Sequence, residues 1–182
     1  MFIQTEPTPN PATLKFLPGT DVLARGTAEF SDAASAARSP LATRLFAVEG
    51  VAGVFLAADF ITVAKADDAD WQVLKPQVLT AILDLYSSGQ PAIEADGADE
   101  AATGDDDPLV TQIKELIETR VRPAVAQDGG DIIFRGFRDG VVYLHLRGAC
   151  SGCPSASATL KHGIENMLKY YVPEVVSVQA VA

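Results

Sequence analysis

Asp131-Ile132-Ile133-Phe134-Arg135-Gly136-Phe137-Arg138-Asp139-Gly140-Val141-Val142-Tyr143-Leu144-His145-Leu146-Arg147 reads as two β-strands joined by a tight turn. Both arms are rich in β-branched and aromatic residues. Between them, Arg138-Asp139-Gly140 contains the Asp-Gly pair that tolerates the positive φ angles of a two-residue hairpin turn. The reading places strands over Asp131–Phe137 and Val141–Arg147.

The residues on either side complete a small domain. Upstream, Asp107 can cap a helix with Pro108 at its first position, and Ile113, Leu116, Ile117 and Val121 give that helix an apolar face. Downstream, a helix is expected from about Pro154 to Tyr171 carrying Ala158, Ile164 and Leu168, ended by Tyr170-Tyr171 and Pro173, which pack it on the sheet. Val175–Val181 closes as a strand. The order is helix, strand, strand, helix, strand over 108–182.

Between the second strand and the second helix stands Gly148-Ala149-Cys150-Ser151-Gly152-Cys153-Pro154, which holds the only two cysteines of the 182-residue chain. Gly148 and Gly152 let the backbone bend and approach closely, so two exposed, parallel sulfurs on a loop tip are expected. Asp128-Gly129-Gly130-Asp131, just before the first strand, reads as a helix-to-strand turn.

Residues 1–88 form a second α+β unit. Phe2–Thr5 and Thr13–Leu17 read as strands around the stiff Pro7-Thr8-Pro9-Asn10-Pro11 turn. Pro40–Val48 has helical apolar spacing behind a Ser39 cap. Val51–Leu56 and Phe60–Ala64 read as a strand pair, and Asp70–Tyr86 as a helix with Leu74, Val78, Ile82 and Leu85 on one face. Trp71 is expected to be a packing anchor. The fold class is therefore α+β, with two small sandwich domains, 1–88 and 108–182, joined by a flexible acidic linker over 89–107.

The linker is a reading of composition. Gly89–Asp107 holds seven acids, no Lys or Arg and one large aliphatic residue, too little apolar surface to offset its ordering entropy. Residues 1–88 carry six bases and ten acids, and 108–182 carry eight and seven, so much of the net charge of −10 is linker solvation. Such a balance offers no field for nucleic acid or an anionic membrane. No apolar run approaches the roughly 20 residues that span a bilayer. Met1 leads into Phe2-Ile3-Gln4-Thr5-Glu6 without a basic n-region or a cleavable apolar core, so a cytoplasmic location is expected. In a reducing compartment a lone cysteine pair points to metal or redox chemistry rather than a structural disulfide.

Three chemistries compete for Cys150 and Cys153. A dithiol/disulfide oxidoreductase also sets C-x-x-C at a helix start, but that fold puts the motif after a strand of a βαβ unit, whereas an antiparallel hairpin precedes it here. A zinc site needs two further ligands. The only histidines, His145 and His162, lie five residues before Cys150 and nine after Cys153, beyond comfortable reach. An iron–sulfur cluster shared between two chains is the third. Two C-x-x-C pairs related by a two-fold axis supply the four thiolates that such a cluster takes.

Arg122-Pro123-Ala124-Val125 with Gln127-Asp128-Gly129-Gly130-Asp131, the cysteine segment through Ser155, and Thr159-Leu160-Lys161-His162-Gly163-Ile164-Glu165 closely resemble the C-terminal domain of the NifU and Nfu iron–sulfur proteins. Thr5–Pro11 with Leu14-Lys15-Phe16, and Asp59-Phe60-Ile61-Thr62-Val63, resemble the N-terminal domain of the Nfu branch. The resemblance implies a non-enzymatic scaffold or carrier that binds a 4Fe-4S cluster, or a 2Fe-2S one, at a homodimer interface through Cys150 and Cys153 of each subunit. It further implies cluster receipt from upstream assembly factors and delivery to apo iron–sulfur proteins. The U-type scaffold domain and central 2Fe-2S domain of full-length NifU have no counterpart in these residues, which favours late transfer over cluster building.

Overall fold

The computed structural model describes residues 2–94, 107–150 and 154–181, and the chain divides into two compact units, Met1–Glu100 and Ala101–Ala182.

The first unit contains a five-stranded antiparallel sheet. Its strands are β1 (Gln4–Pro7), β2 (Thr13–Leu17), β3 (Ala28–Phe30), β4 (Val51–Leu56) and β5 (Ile61–Lys65), in the order β1-β2-β5-β4-β3. Helices α1 (Pro40–Phe46) and α2 (Trp71–Ser88) share its core with Phe16, Phe30, Leu41, Leu45, Leu56 and Ile82. Both begin at side-chain caps: the Ala42 N–H donates to Ser39 Oγ at 3.0 Å, and the Gln72 N–H to Asp70 Oδ1 at 2.8 Å. Gly89, at φ +71°, ends α2. Trp71 is an anchor, half-buried on the core, with its indole N–H donating to the Pro11 carbonyl at 3.3 Å. That bond ties α2 to the proline turn, whose Asn10 side chain accepts from the Ala12 N–H.

Two features of this unit differ from the sequence reading. Strand β3 was not expected: three residues are too few to display an alternation, although Ala28 and Phe30 are buried on either side of Glu29. The stretch read as linker is anchored at its start. The Ala92 carbonyl accepts from the Leu41 N–H, an N-terminal donor of α1 with no partner inside its own helix, and from the Ser39 hydroxyl. Glu94 N–H in turn donates to the Arg38 carbonyl at 3.1 Å. The rest of that stretch, 95–106, lies outside the described residues.

The second unit runs α3 (Pro108–Leu116), one π turn (Ile117–Val121), α4 (Arg122–Gln127), β6 (Gly130–Arg138), β7 (Val141–Gly148), α5 (Pro154–Tyr171) and β8 (Ser177–Val181). Asp107 caps α3 by accepting from the Leu109 N–H at 2.9 Å. The π turn has a local cause. Pro123 has no N–H and its ring would press on the carbonyl four residues back, so the preceding turn widens and the Arg122 N–H reaches five residues back to Ile117. The wider turn keeps Ile113, Ile117, Val121 and Val125 on one buried stripe despite their spacing of four.

Strands β6 and β7 pair antiparallel, with a bulge between Phe134 and Gly136, and turn through Asp139 (φ +52°) and Gly140 (φ +78°). Ile132, Phe134, Val142 and Leu144 alternate into a core shared with Ile164, Leu168 and Val178. Strand β8 lies on the other side of β7 and runs parallel to it. The 18-residue α5 carries the chain back along β7 before β8 begins. The cysteine loop therefore stands inside a βαβ unit as well as after a hairpin, which removes the topological objection to a dithiol oxidoreductase.

Helix α5 also corrects one placement. Tyr170 and Tyr171 are 80% and 39% exposed rather than packed on the sheet. Leu168 and Val172, four residues apart, take the inward positions, so the tyrosines between them point elsewhere. They stack edge to face at 5.0 Å, with the Arg120 guanidinium 5.1 Å from the Tyr171 ring.

Gly140 joins the hairpin to β8, since its carbonyl accepts from the Val176 and Ser177 N–H groups at 2.7 and 3.2 Å. A Cβ there would stand 2.7 Å from Val176 Cγ2 and 3.2 Å from the Glu174 carbonyl, on a backbone already at positive φ. Gly140→Ala is expected to destabilise the second unit by about 1–3 kcal/mol, read as an earlier urea transition of the full chain.

Candidate metal centre at Cys150

The site is assembled where the α4–β6 turn meets the end of β7. Strand pairing sets Gly130 opposite Gly148 and Asp131 opposite Arg147. Gly129 and Gly148 both take positive φ, +80° and +64°, and the Ala149 N–H donates to the Gly129 carbonyl at 3.2 Å. The two glycine turns, 19 positions apart in sequence, are thereby laced together just before Cys150.

Cys150 is not exposed. Its side chain is 7% accessible and belongs to the apolar core with Val125, Ile132 and Ile164. The expected loop-tip sulfur is an inward-packed one: the backbone takes a left-handed turn at Gly148, and the Cys150 sulfur lies close against Gly130 on β6. Cys153, with Ser151 and Gly152, lies outside the described residues. Among the described residues, no three His, Cys, Asp or Glu side chains converge as a metal site. His145 stands half-buried on β7, and His162 is exposed on α5.

Asp128–Asp131 is the helix-to-strand turn that its glycines announced, but it also reaches the site. A Cβ on Gly130 would lie 2.5 Å from Cys150 Sγ, 2.8 Å from the Arg147 carbonyl and 3.1 Å from the Cys150 nitrogen. Only a glycine leaves room for the sulfur there.

The next residue is clamped. Asp131, 4% exposed, takes a two-point ion pair from Arg122, with Nε to Oδ1 at 2.8 Å and NH2 to Oδ2 at 2.9 Å, and also accepts from the Ile132 N–H. Glu118 adds a third acceptor for Arg122, with NH1 to Oε2 at 2.6 Å. The bonds to Asp131, aided by Glu118 against the effect of burial, hold the guanidinium above its usual range, so it stays charged. This pair is absent from the sequence reading. Both residues stand in the quoted Arg122…Asp131 stretch, but nine positions across a helix end and a turn match no local period.

Fold and site together define a two-unit α+β protein with one C-x-x-C per chain at a strand-to-helix joint. Residues 3–89 match the family described as "Scaffold protein Nfu/NifU N terminal", and residues 113–179 match the "NifU-like domain". The "NFU1 iron-sulfur cluster scaffold homolog, mitochondrial" of Homo sapiens is 51% identical over 183 residues, covering all of this chain and 72% of that protein. The protein of the same name from Drosophila sechellia is 53% identical over 184 residues, covering all of this chain and 65% of its own length. "NifU-like protein 4, mitochondrial" of Arabidopsis thaliana is 52% identical, covering 98% of this chain and 65% of that protein. The chain belongs to the Nfu/NifU family.

It spans about two thirds of the length of these curated relatives. Their names place them in mitochondria, so the cytoplasmic reading of Met1–Glu6 finds no support in them. No helix among the described residues is long and apolar enough to cross a membrane.

Proposed function

We propose that this chain is an iron–sulfur cluster scaffold and carrier. Two copies bind one 4Fe-4S cluster between them through Cys150 and Cys153 of each, and pass it to apo iron–sulfur proteins. The observation that carries the reading is the single C-x-x-C of a chain from this family. A four-thiolate cluster is satisfied by two such pairs, and one copy supplies half. The cluster is cargo: it arrives from upstream assembly factors and leaves intact, without turnover of a substrate. The site needs only a reducing compartment, which cytoplasm and mitochondrial matrix both provide.

The dithiol reading survives on topology, and the burial of Cys150 bears on both readings, since a thiolate that shares a cluster with a second chain must also reach the surface. The attacking thiol of a C-x-x-C oxidoreductase must meet its disulfide substrate at the surface. Anaerobic reconstitution with ferrous iron and sulfide is expected to give a brown dimer with about four irons per two chains. A colourless monomer that reduces insulin disulfides catalytically would overturn the carrier reading.

A further inference from the structure

In the first unit, the start of α2 and the turn between α1 and β4 border a groove of about 430 Å³ that is open to solvent. Val51 and Leu74 give it an apolar floor, and Val73 lines it while 64% exposed. Its charged residues are Glu49, Asp68 and Asp70, and no Lys or Arg lines it. We infer that this groove is a docking surface for a partner protein, and that it takes a short segment pairing a basic side chain with an aliphatic one. The surface uses none of the cysteine chemistry, so it goes beyond the carrier reading and is tested apart from it.

The groove is built locally. The Ala66 N–H donates to the Gly50 carbonyl at 2.8 Å, which holds the α1–β4 turn against the chain that leads from β5 to α2. Asp70 is committed to capping α2, with the Gln72 N–H on its Oδ1 at 2.8 Å. Glu49 and Asp68 are exposed, and neither has an ion-pair partner among the described residues. Lys65, close by in sequence, turns its ammonium to the Ala66 carbonyl at 3.4 Å. Three carboxylates around an apolar floor leave negative charge uncompensated, and the partner that complements it is positive. The size is that of a ligand cleft, but such clefts bury most of their ligand, whereas a side chain presented on a peptide suits an open groove. Arginine and lysine meet both demands, because the aliphatic stem can lie along Val73 while the charge faces the acids.

The probe is a fluorescent peptide, Gly-Ser-Arg-Leu-Arg-Val-Ser-Gly, titrated with the full chain at low ionic strength and followed by anisotropy. Saturable binding tighter than about 1 mM is expected. It should be lost when both arginines are replaced by glutamate, and weakened by about 150 mM salt. Glu49→Lys and Asp68→Lys, surface changes that should leave circular dichroism unaltered, are each expected to weaken binding at least about fivefold, and Val73→Ser at least about threefold. Asp84→Lys makes the same charge change about 15 Å beyond Leu74 along α2, and is expected to leave the affinity within about twofold.

An absence of saturation would overturn the docking surface. So would an equal loss from Asp84→Lys, which would reduce the effect to general attraction by an acidic chain, or an unchanged affinity in Val73→Ser. Displacement of the peptide by about 1 mM magnesium at constant ionic strength would also overturn it, in favour of a cation site. Iron uptake is read separately. A chain that binds the peptide but takes up no cluster would sink the carrier reading and leave the groove intact, and one that loads a cluster but ignores the peptide would do the opposite.

Discussion

In an Arg122→Gln variant the second unit is expected to lose about 3 kcal/mol of stability. The figure sits at the low end of what removing one partner of a buried ion pair costs, because the Arg122 side chain is 24% exposed while that of Asp131 is 6%. Glutamine cannot span both carboxylate oxygens, so Asp131 keeps the Ile132 N–H but loses its two-point partner. Small domains are stable by only about 5–15 kcal/mol, so the loss takes between about a fifth and three fifths of the total. A urea melt of the full chain measures this as an earlier transition. Adding Asp131→Asn is expected to restore part of the loss, with a coupling of about 1–3 kcal/mol, since no buried charge then remains without its partner. Simple additivity would show that the two residues do not act as a unit. Arg122→Gln is also expected to speed alkylation of Cys150, because Asp131 fixes the neighbour on which that sulfur rests.

Cys150→Ala is expected to reduce cluster retention to background. Two copies would then offer only the two Cys153 thiolates, against the four that a cluster takes. The measurement is iron and sulfide per chain after anaerobic desalting, with the visible charge-transfer absorption recorded alongside. Folding should survive, since replacing the sulfur with hydrogen leaves a small cavity worth about 1 kcal/mol. A folded variant that keeps its iron would show that a histidine or an external thiol completes the site. Failure here therefore speaks about the ligand set, whereas failure of the Arg122 experiment speaks about the scaffold beneath it.

What was legible in the sequence was local. The caps at Ser39 and Asp107 were visible, because each satisfies helix N–H groups within three residues of itself. The Asp139-Gly140 turn was visible because positive φ restricts residue choice on the spot. The apolar stripe of α2 followed from helical periodicity, and the limits of α5, Pro154 and Tyr171, from the proline that can open a helix and the one at position 173. The two cysteines, their spacing and their place before a helix needed no structure at all.

Pairings between distant segments were not legible. The parallel run of β8 beside β7, the seat of Cys150 on Gly130 and the Arg122–Asp131 clamp each join residues whose separation matches no backbone period. The outward placement of Tyr170 and Tyr171 was decided the same way, by which side chains of α5 won the limited space over the sheet. By itself the sequence determined most of the elements, several of their caps and turns, and a count of two thiols against the four that the proposed cluster takes. Only the tertiary structure decided that one of those thiols is held inside. Burial depends on which segments pack together, and packing is settled by the whole chain competing for one core.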